Sequence, residues 1–228
     1  MGAYCSNGGR DIGELNRHII TIGGNMPFGK IVKPVSEKLS EAVTKTETIE
    51  EKLRKQIIVE AMTYEGMRET NGNNRAPWID KINMWADSSL GQPYCIAGAL
   101  FVVNNACKDL GLKNPCGNNP STQSWYNNAP LVYKTVRGQK PKMGAIGIER
   151  NRLDSSRGHA YIHKTDVEDI NHMPTCEFNT DGSGGRDGDG FYTRIRSQEG
   201  DANKAYRGSV DVVVWILTHN GLALAKLA

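Results

Sequence analysis

The chain has 228 residues, of which 38% are hydrophobic and 23% charged, with a formal net charge of +3. This is the composition of an ordinary globular chain that can bury a core without metal or disulfides, read as one domain plus an extension. No apolar run reaches membrane-spanning length, and so small a positive charge does not imply nucleic-acid binding.

Residues 1–47 carry much Gly, Lys, Glu and Thr and few large apolar groups, and read as an N-terminal extension or linker with a short helix at most over Ser36 to Thr44. They lack the basic-then-apolar layout of a secretory signal, so action outside a cytoplasm would need another delivery route. Met1-Gly2-Ala3-Tyr4-Cys5-Ser6 formally fits a myristoylation pattern, read here as coincidence. A firmer start comes at Thr48, where Thr48-Ile49-Glu50-Glu51 has capping-box spacing. Leu53, Ile57, Val59, Ala61 and Met62 then suit a helix with one apolar face, ending near Tyr64-Glu65-Gly66. Asn71-Gly72-Asn73-Asn74 turns the chain, and Pro77 to Ala86 is predicted as a second helix with Pro77 in its first turn.

Gly91 and Pro93 favour a turn before Cys95, and Cys95 to about Asp109 reads as a buried helix stopped by Gly111. Asn114 through Pro120 is loop, and Ser121 caps a short helix through Trp125 and Tyr126. Beyond it the period changes. Ala145–Glu149, Ala160–His163, Thr175–Phe178, Phe191–Arg196 and Val210–Leu217 are short and β-like, separated by Gly, Asp and Asn turns. Helices followed by strands predict an α+β fold with an antiparallel sheet, over a domain of residues 48–220 and a tail of 221–228.

Five cysteines (Cys5, Cys95, Cys107, Cys116 and Cys176) at irregular spacing, with no CxxC pair, argue against a zinc site. Cys107 and Cys116 are placed to form a local disulfide, though a reduced state is equally consistent. Cys95 is different, because a thiol at a helix start lies in the positive field of the helix dipole and is drawn toward thiolate. Alone it would read as a buried structural thiol. Gly158-His159 at the head of an apolar stretch, then Glu177-Phe178-Asn179, shift the reading to a thiol hydrolase.

Gly66 through Pro77 resembles the opening of one branch of the CHAP family, papain-like cysteine amidases and peptidases of phage endolysins and bacterial autolysins. Pro93-Tyr94-Cys95-Ile96-Ala97-Gly98 and its continuation to Val102 resemble that family's nucleophile helix, and Gly158-His159-Ala160 its histidine strand. Cys176-Glu177-Phe178-Asn179-Thr180, the Gly-rich run after it and Phe191 to Arg196 resemble the family's Glu-x-Asn segment and the loop and strand beyond. The similarity runs in order from about Glu60 to Leu217. Tyr94 stands where the family usually has Trp, Gly144-Ala145 replaces Gly-Asp, and Tyr161 and Phe178 are bulkier than usual and expected to crowd the cleft.

The resemblance implies a papain-like fold with Cys95 as nucleophile, His159 as base and then acid, and Glu177 orienting the imidazole. The Cys95 backbone N–H, at a helix start, is an oxyanion donor. Strand alternation would put Glu177 and Asn179 on one face, where Asn179 supports the histidine or the oxyanion, with Phe178 on the other. His163, four residues beyond His159 on the same face, is the rival base; Gly158 favours His159 by permitting close approach. His18, His172 and His219 have no partner pattern. Asp181, Asp187 and Asp189 among glycines do not follow EF-hand order and read as a turn, and Arg194 and Arg196 share what reads as a solvated sheet face. The expected activity is cleavage of an amide bond in bacterial peptidoglycan, as a phage endolysin or virion-associated lysin. Peptidoglycan is the expected partner, with no nucleic acid, membrane, metal or cofactor. The alternatives are a secreted or injected thiol amidase, toxin or autolysin, and an inactive wall-binding module on the same scaffold.

Overall fold

The computed structural model describes residues 47–181 and 188–222. The expected extension with its Ser36 to Thr44 helix, Cys5 and His18, positions 182–187 with Asp187, and the expected tail from position 223 lie outside the described residues. The chain divides into two units between Lys45 and Thr46, and the second holds every described element.

Helix α1 (Ile49–Met62) begins on the expected capping box: Glu51 N donates to Thr48 Oγ1 at 3.2 Å and Thr48 N donates to Glu51 Oε2 at 2.9 Å. Leu53, Ile57 and Ala61 form its buried stripe, whereas Val59 is 57% exposed. Val59 is two residues from Ile57, roughly 200° around the helix, so it cannot share that face. Arg54 also turns inward, donating to Glu50 Oε1, Asp211 Oδ2 and the Met143 carbonyl.

Helix α2 (Pro77–Trp85) carries Pro at its start, and α3 (Cys95–Asp109) is buried without interruption from Cys95 to Val103. Helix α4 (Thr122–Asn128) is capped by Ser121 Oγ, which accepts from Ser124 N at 3.4 Å. A single 3-10 turn (Leu131–Tyr133) leads into the sheet. Its strands are β1 (Lys134–Thr135), β2 (Ile146–Asn151), β3 (Gly158–His163), β4 (Met173–Thr180), β5 (Gly190–Arg196) and β6 (Lys204–Val210). They pair antiparallel throughout in the order β1-β6-β2-β3-β4-β5. The protein is therefore α+β, with five α-helices and a six-stranded antiparallel sheet among the described residues.

The segment expected as a last strand, Val210–Leu217, is mostly a helix instead, α5 (Val212–His219), and β6 lies just before it. Three consecutive valines favour a strand by local preference. Two features override them: Asp211 caps the helix by accepting from Val214 N at 3.2 Å, and its buried residues Val212, Val213, Ile216 and Leu217 follow a helical period against the core. Lys204–Val210 lacks a continuous apolar run, which hid the real strand.

Alternation along the central strands sends Ile146, Ile148, Ala160, Ile162, Cys176 and Phe178 into the main apolar core with α3. The opposite face is polar yet buried, holding Glu149, His159, His163, Thr175, Glu177 and Ser209. A small cluster of Val167, Met173 and Tyr206, with Ile170 against it, packs separately from the main core. Close approach of α3 to β4 depends on Gly98, where an added Cβ would come within 2.4 Å of the Phe178 ring. Gly98→Ala is expected to lower stability by about 1–3 kcal/mol, the usual effect of overpacking, seen as a lower urea midpoint with unchanged slope. A midpoint equal to that of the wild type would show that the helix can slide off Phe178 without loss.

Candidate active site

Cys95 is the first residue of α3, and the preceding residue, Tyr94, provides no side-chain cap. The first backbone N–H groups of the helix therefore have no intrahelical acceptor and point toward the thiol end, where a developing oxyanion would be stabilised. Cys95 is 5% exposed and opens into a cleft of about 250 Å³. Gln92, Pro93, Ser121, Thr122, Arg157 and Gly158 are among the residues that line it. The Cys95 Sγ lies 3.5 Å from Thr122 Oγ1, a neighbour that sequence inspection missed because α4 looks like an ordinary short capped helix.

His159 sits second on β3, fully buried, with Nε2 2.9 Å from Glu177 Oε2 on β4. Burial alone would raise the Glu177 pKa, but hydrogen bonds and charge from Arg196 and His159 hold it far below the usual carboxylate range. An ionised carboxylate only accepts, so Nε2 carries the hydrogen and donates it. The neutral ring then has its basic lone pair on Nδ1, which makes no hydrogen bond within the described residues and is the nitrogen free to exchange a proton with Cys95. Burial pushes the Cys95 thiol up, yet the adjacent His159 imidazole and the Thr122 hydroxyl overcome this and bring it down to about 7. Burial likewise opposes the imidazolium, while Cys95 and Glu177 raise His159 to about 9. Between those values the pair is thiolate and imidazolium, a nucleophile with a proton donor beside it. Turnover is expected to rise as pH climbs through about 7 and to fall past about 9, when the imidazolium loses its proton. A rate that keeps rising through pH 9 would mean Cys95 titrates as an ordinary thiol.

The rival base is elsewhere. His163 is fully buried, its Nε2 2.8 Å from Ser209 Oγ, which is itself 2.8 Å from the Tyr206 hydroxyl. Burial lowers it to about 3, so it stays neutral, and it lines no part of the cleft. Gly158 is needed for a different neighbour than expected: an added Cβ would meet the Gln123 amide at 2.2 Å and the Glu149 carbonyl at 2.3 Å. His172 and His219 are exposed.

Asn179 does not share the face of Glu177 in the expected way. A register shift between Phe178 and Thr180 breaks the alternation, and Asn179 adopts φ 53, a left-handed conformation that Asn tolerates better than most residues. Its buried side chain has no hydrogen-bond partner among the described residues, so it touches neither His159 nor Glu177 by such a bond. The bulky departures do not crowd the cleft either. Phe178 packs on Gly98 and against Tyr64 and Phe191, and Tyr161 lies across the sheet on Gly147.

Arg196 is the largest correction. It is not on a solvated face: its side chain is 10% exposed, and Nε donates to Glu177 Oε1 at 2.7 Å while Nη2 donates to Oε2. Arg194 donates to the Asp181 carbonyl at 2.9 Å. Cys95, Cys107, Cys116 and Cys176 are all free thiols, so the candidate Cys107–Cys116 disulfide is absent; burial raises Cys107 and Cys176 to about 12. Of the four, Cys95 alone has a lowered pKa. No family model, curated protein or solved structure matches this chain.

Proposed function

We propose that the protein is a cysteine amidase or endopeptidase of bacterial peptidoglycan, with a papain-like CHAP fold. The observation that carries the reading is the pairing of Cys95 at a helix start with His159, itself held by a buried, ionised Glu177. The Cys95 thiolate attacks the scissile carbonyl, whose oxygen takes the charge beside the first amides of α3. The C–N bond breaks as the His159 imidazolium gives its proton to the leaving nitrogen, leaving a thioester on Cys95. His159, now neutral at Nδ1, removes a proton from water, which attacks the thioester; the C–S bond breaks, the acyl group leaves as a carboxylic acid, and the Cys95 thiolate and His159 imidazolium are restored.

The peptidoglycan substrate comes from the resemblance of Gly66 to Pro77, Pro93 to Val102, Gly158 to Ala160 and Cys176 to Arg196 to the CHAP family. A phage endolysin or virion-carried lysin is the setting proposed for it. The crowding that would favour an inactive wall-binding module is not found at the cleft, since Tyr161 and Phe178 pack elsewhere. The test is turbidity loss of purified peptidoglycan from several bacteria, with mass spectrometry of released fragments. Clearing with new amine termini is the expected result and names the bond cut. Intact walls that co-sediment with the protein would overturn the enzyme reading in favour of wall binding.

A further inference from the structure

Each oxygen of Glu177 is doubly engaged. Oε1 accepts from Thr175 Oγ1 at 2.6 Å and from Arg196 Nε at 2.7 Å; Oε2 accepts from His159 Nε2 at 2.9 Å and from Arg196 Nη2. A carboxylate offers about four acceptor sites, so this one is saturated. Arg196 supplies half of those bonds and the cation that compensates a fully buried anion. Its planar fork fits the carboxylate on both oxygens at once, which a point-charge ammonium cannot do. The fork is itself held: Nη1 lies 3.7 Å from Glu149 Oε2, and the guanidinium sits 5.8 Å from the centre of the Tyr161 ring. The titratable groups around Glu177 are thus Glu149 from β2, His159, Tyr161 and His163 from β3, and Arg196 from β5.

We propose that Arg196 is a positioning residue that keeps Glu177 charged and oriented, and through Glu177 fixes the His159 ring that activates Cys95. Without the guanidinium, Glu177 would sit fully buried with one remaining charged partner. Desolvation would then favour the neutral carboxyl, whose proton competes with His159 Nε2–H for the same oxygen. His159 would lose its support as an imidazolium, and Cys95 its counter-charge. The inference rests on the thiol–imidazole reading of the site but not on the substrate.

The test therefore uses the full chain and iodoacetamide, with mass spectrometry reading alkylation of Cys95 against pH. Wild type is expected to show an inflection near pH 7. Arg196→Gln is expected to move it upward and to slow alkylation at pH 6 by roughly tenfold, the size of one pH unit. Arg196→Lys, which keeps charge without the fork, is expected to fall between the two. A purely structural role would lower the thermal midpoint and leave the inflection of the folded fraction where it was. An Arg196→Gln inflection superimposed on that of the wild type overturns the proposal. Should that variant fail to fold, Arg196→Lys decides alone: a raised inflection supports the proposal and an unmoved one overturns it. A wild-type inflection near that of a free cysteine would instead overturn the thiol–imidazole reading, separating the two failures.

Discussion

Cys95→Ala is expected to abolish wall clearing, with a loss of about 10⁴-fold or more in rate, while the protein stays folded. The magnitude comes from removing the group that forms the covalent intermediate: no other thiol in the described residues has a lowered pKa, and the remaining cleft can only bind and polarise. Stability is expected to change little, for a reason the structure refines. Cys95 is 5% exposed where the core meets the cleft, and its Sγ makes a weak sulfur contact with Thr122 Oγ1 at 3.5 Å. Truncation removes one sulfur at a cleft edge where water can enter, so no sealed cavity is left. Circular dichroism with urea titration checks the fold, and turbidity checks the activity. An alanine variant that clears walls at the wild-type rate would end the nucleophile assignment.

Glu177→Gln is expected to lose most activity and also about 3–5 kcal/mol of stability, the range for removing one partner of a buried ion pair. The amide cannot satisfy the site in either orientation. With its NH₂ in place of Oε2, it faces the donors Arg196 Nη2 and His159 Nε2; in place of Oε1, it faces Arg196 Nε and Thr175 Oγ1. Donors then meet donors at a fully buried carboxylate position, where an unpaired polar group is costly. The four-bonded carboxylate thus predicts a variant that loses much of a typical domain stability of roughly 5–15 kcal/mol. Equilibrium unfolding in urea at neutral pH measures this directly, and a midpoint unchanged from wild type would mean the ion pair adds nothing to the fold.

The same group makes the wild type sensitive to acid. Its folded pKa is depressed below its ordinary value of 4.5, so its contribution is fully present above about 4.5 and is lost as pH falls further. His163 acts in the same direction at higher pH. Burial depresses it from 6.5 to about 3, so stability falls as pH drops through that window and the unfolded chain takes up a proton that the folded one refuses. His159 has the opposite sign: raised to about 9, its contribution is present below 6.5 and lost as pH rises through about 9.

Much of the layout is written in short stretches of sequence. The Thr48 box, Pro77 at a helix start, the small-residue run after Cys95 and the Ser121 cap act within a few residues, so local pattern locates four helices without tertiary information. Cys95 at a helix start and His159 on a strand after a glycine are legible in the same way, as is the α+β order of elements.

Local pattern could not supply the outcomes set by partners distant in the chain. Val212 to Leu217 is apolar at every position, so its period is hidden, and packing with the Asp211 cap makes it a helix. His159 and His163 look alike on a strand face; Glu177 and Cys95 raise the pKa of one, whereas burial beside the uncharged Ser209 hydroxyl lowers that of the other. Asn179 loses its expected role to a bulge that the alternation rule does not contain. Arg196 on an alternating strand reads as solvated, since nothing nearby in sequence announces that its fork closes on Glu177 across β4 and β5. Residue order alone settles which chemical groups are available and which helix end holds the thiol. Their charges are set only once the chain has folded, because a buried group ionises according to the neighbours that compensate its lost hydration.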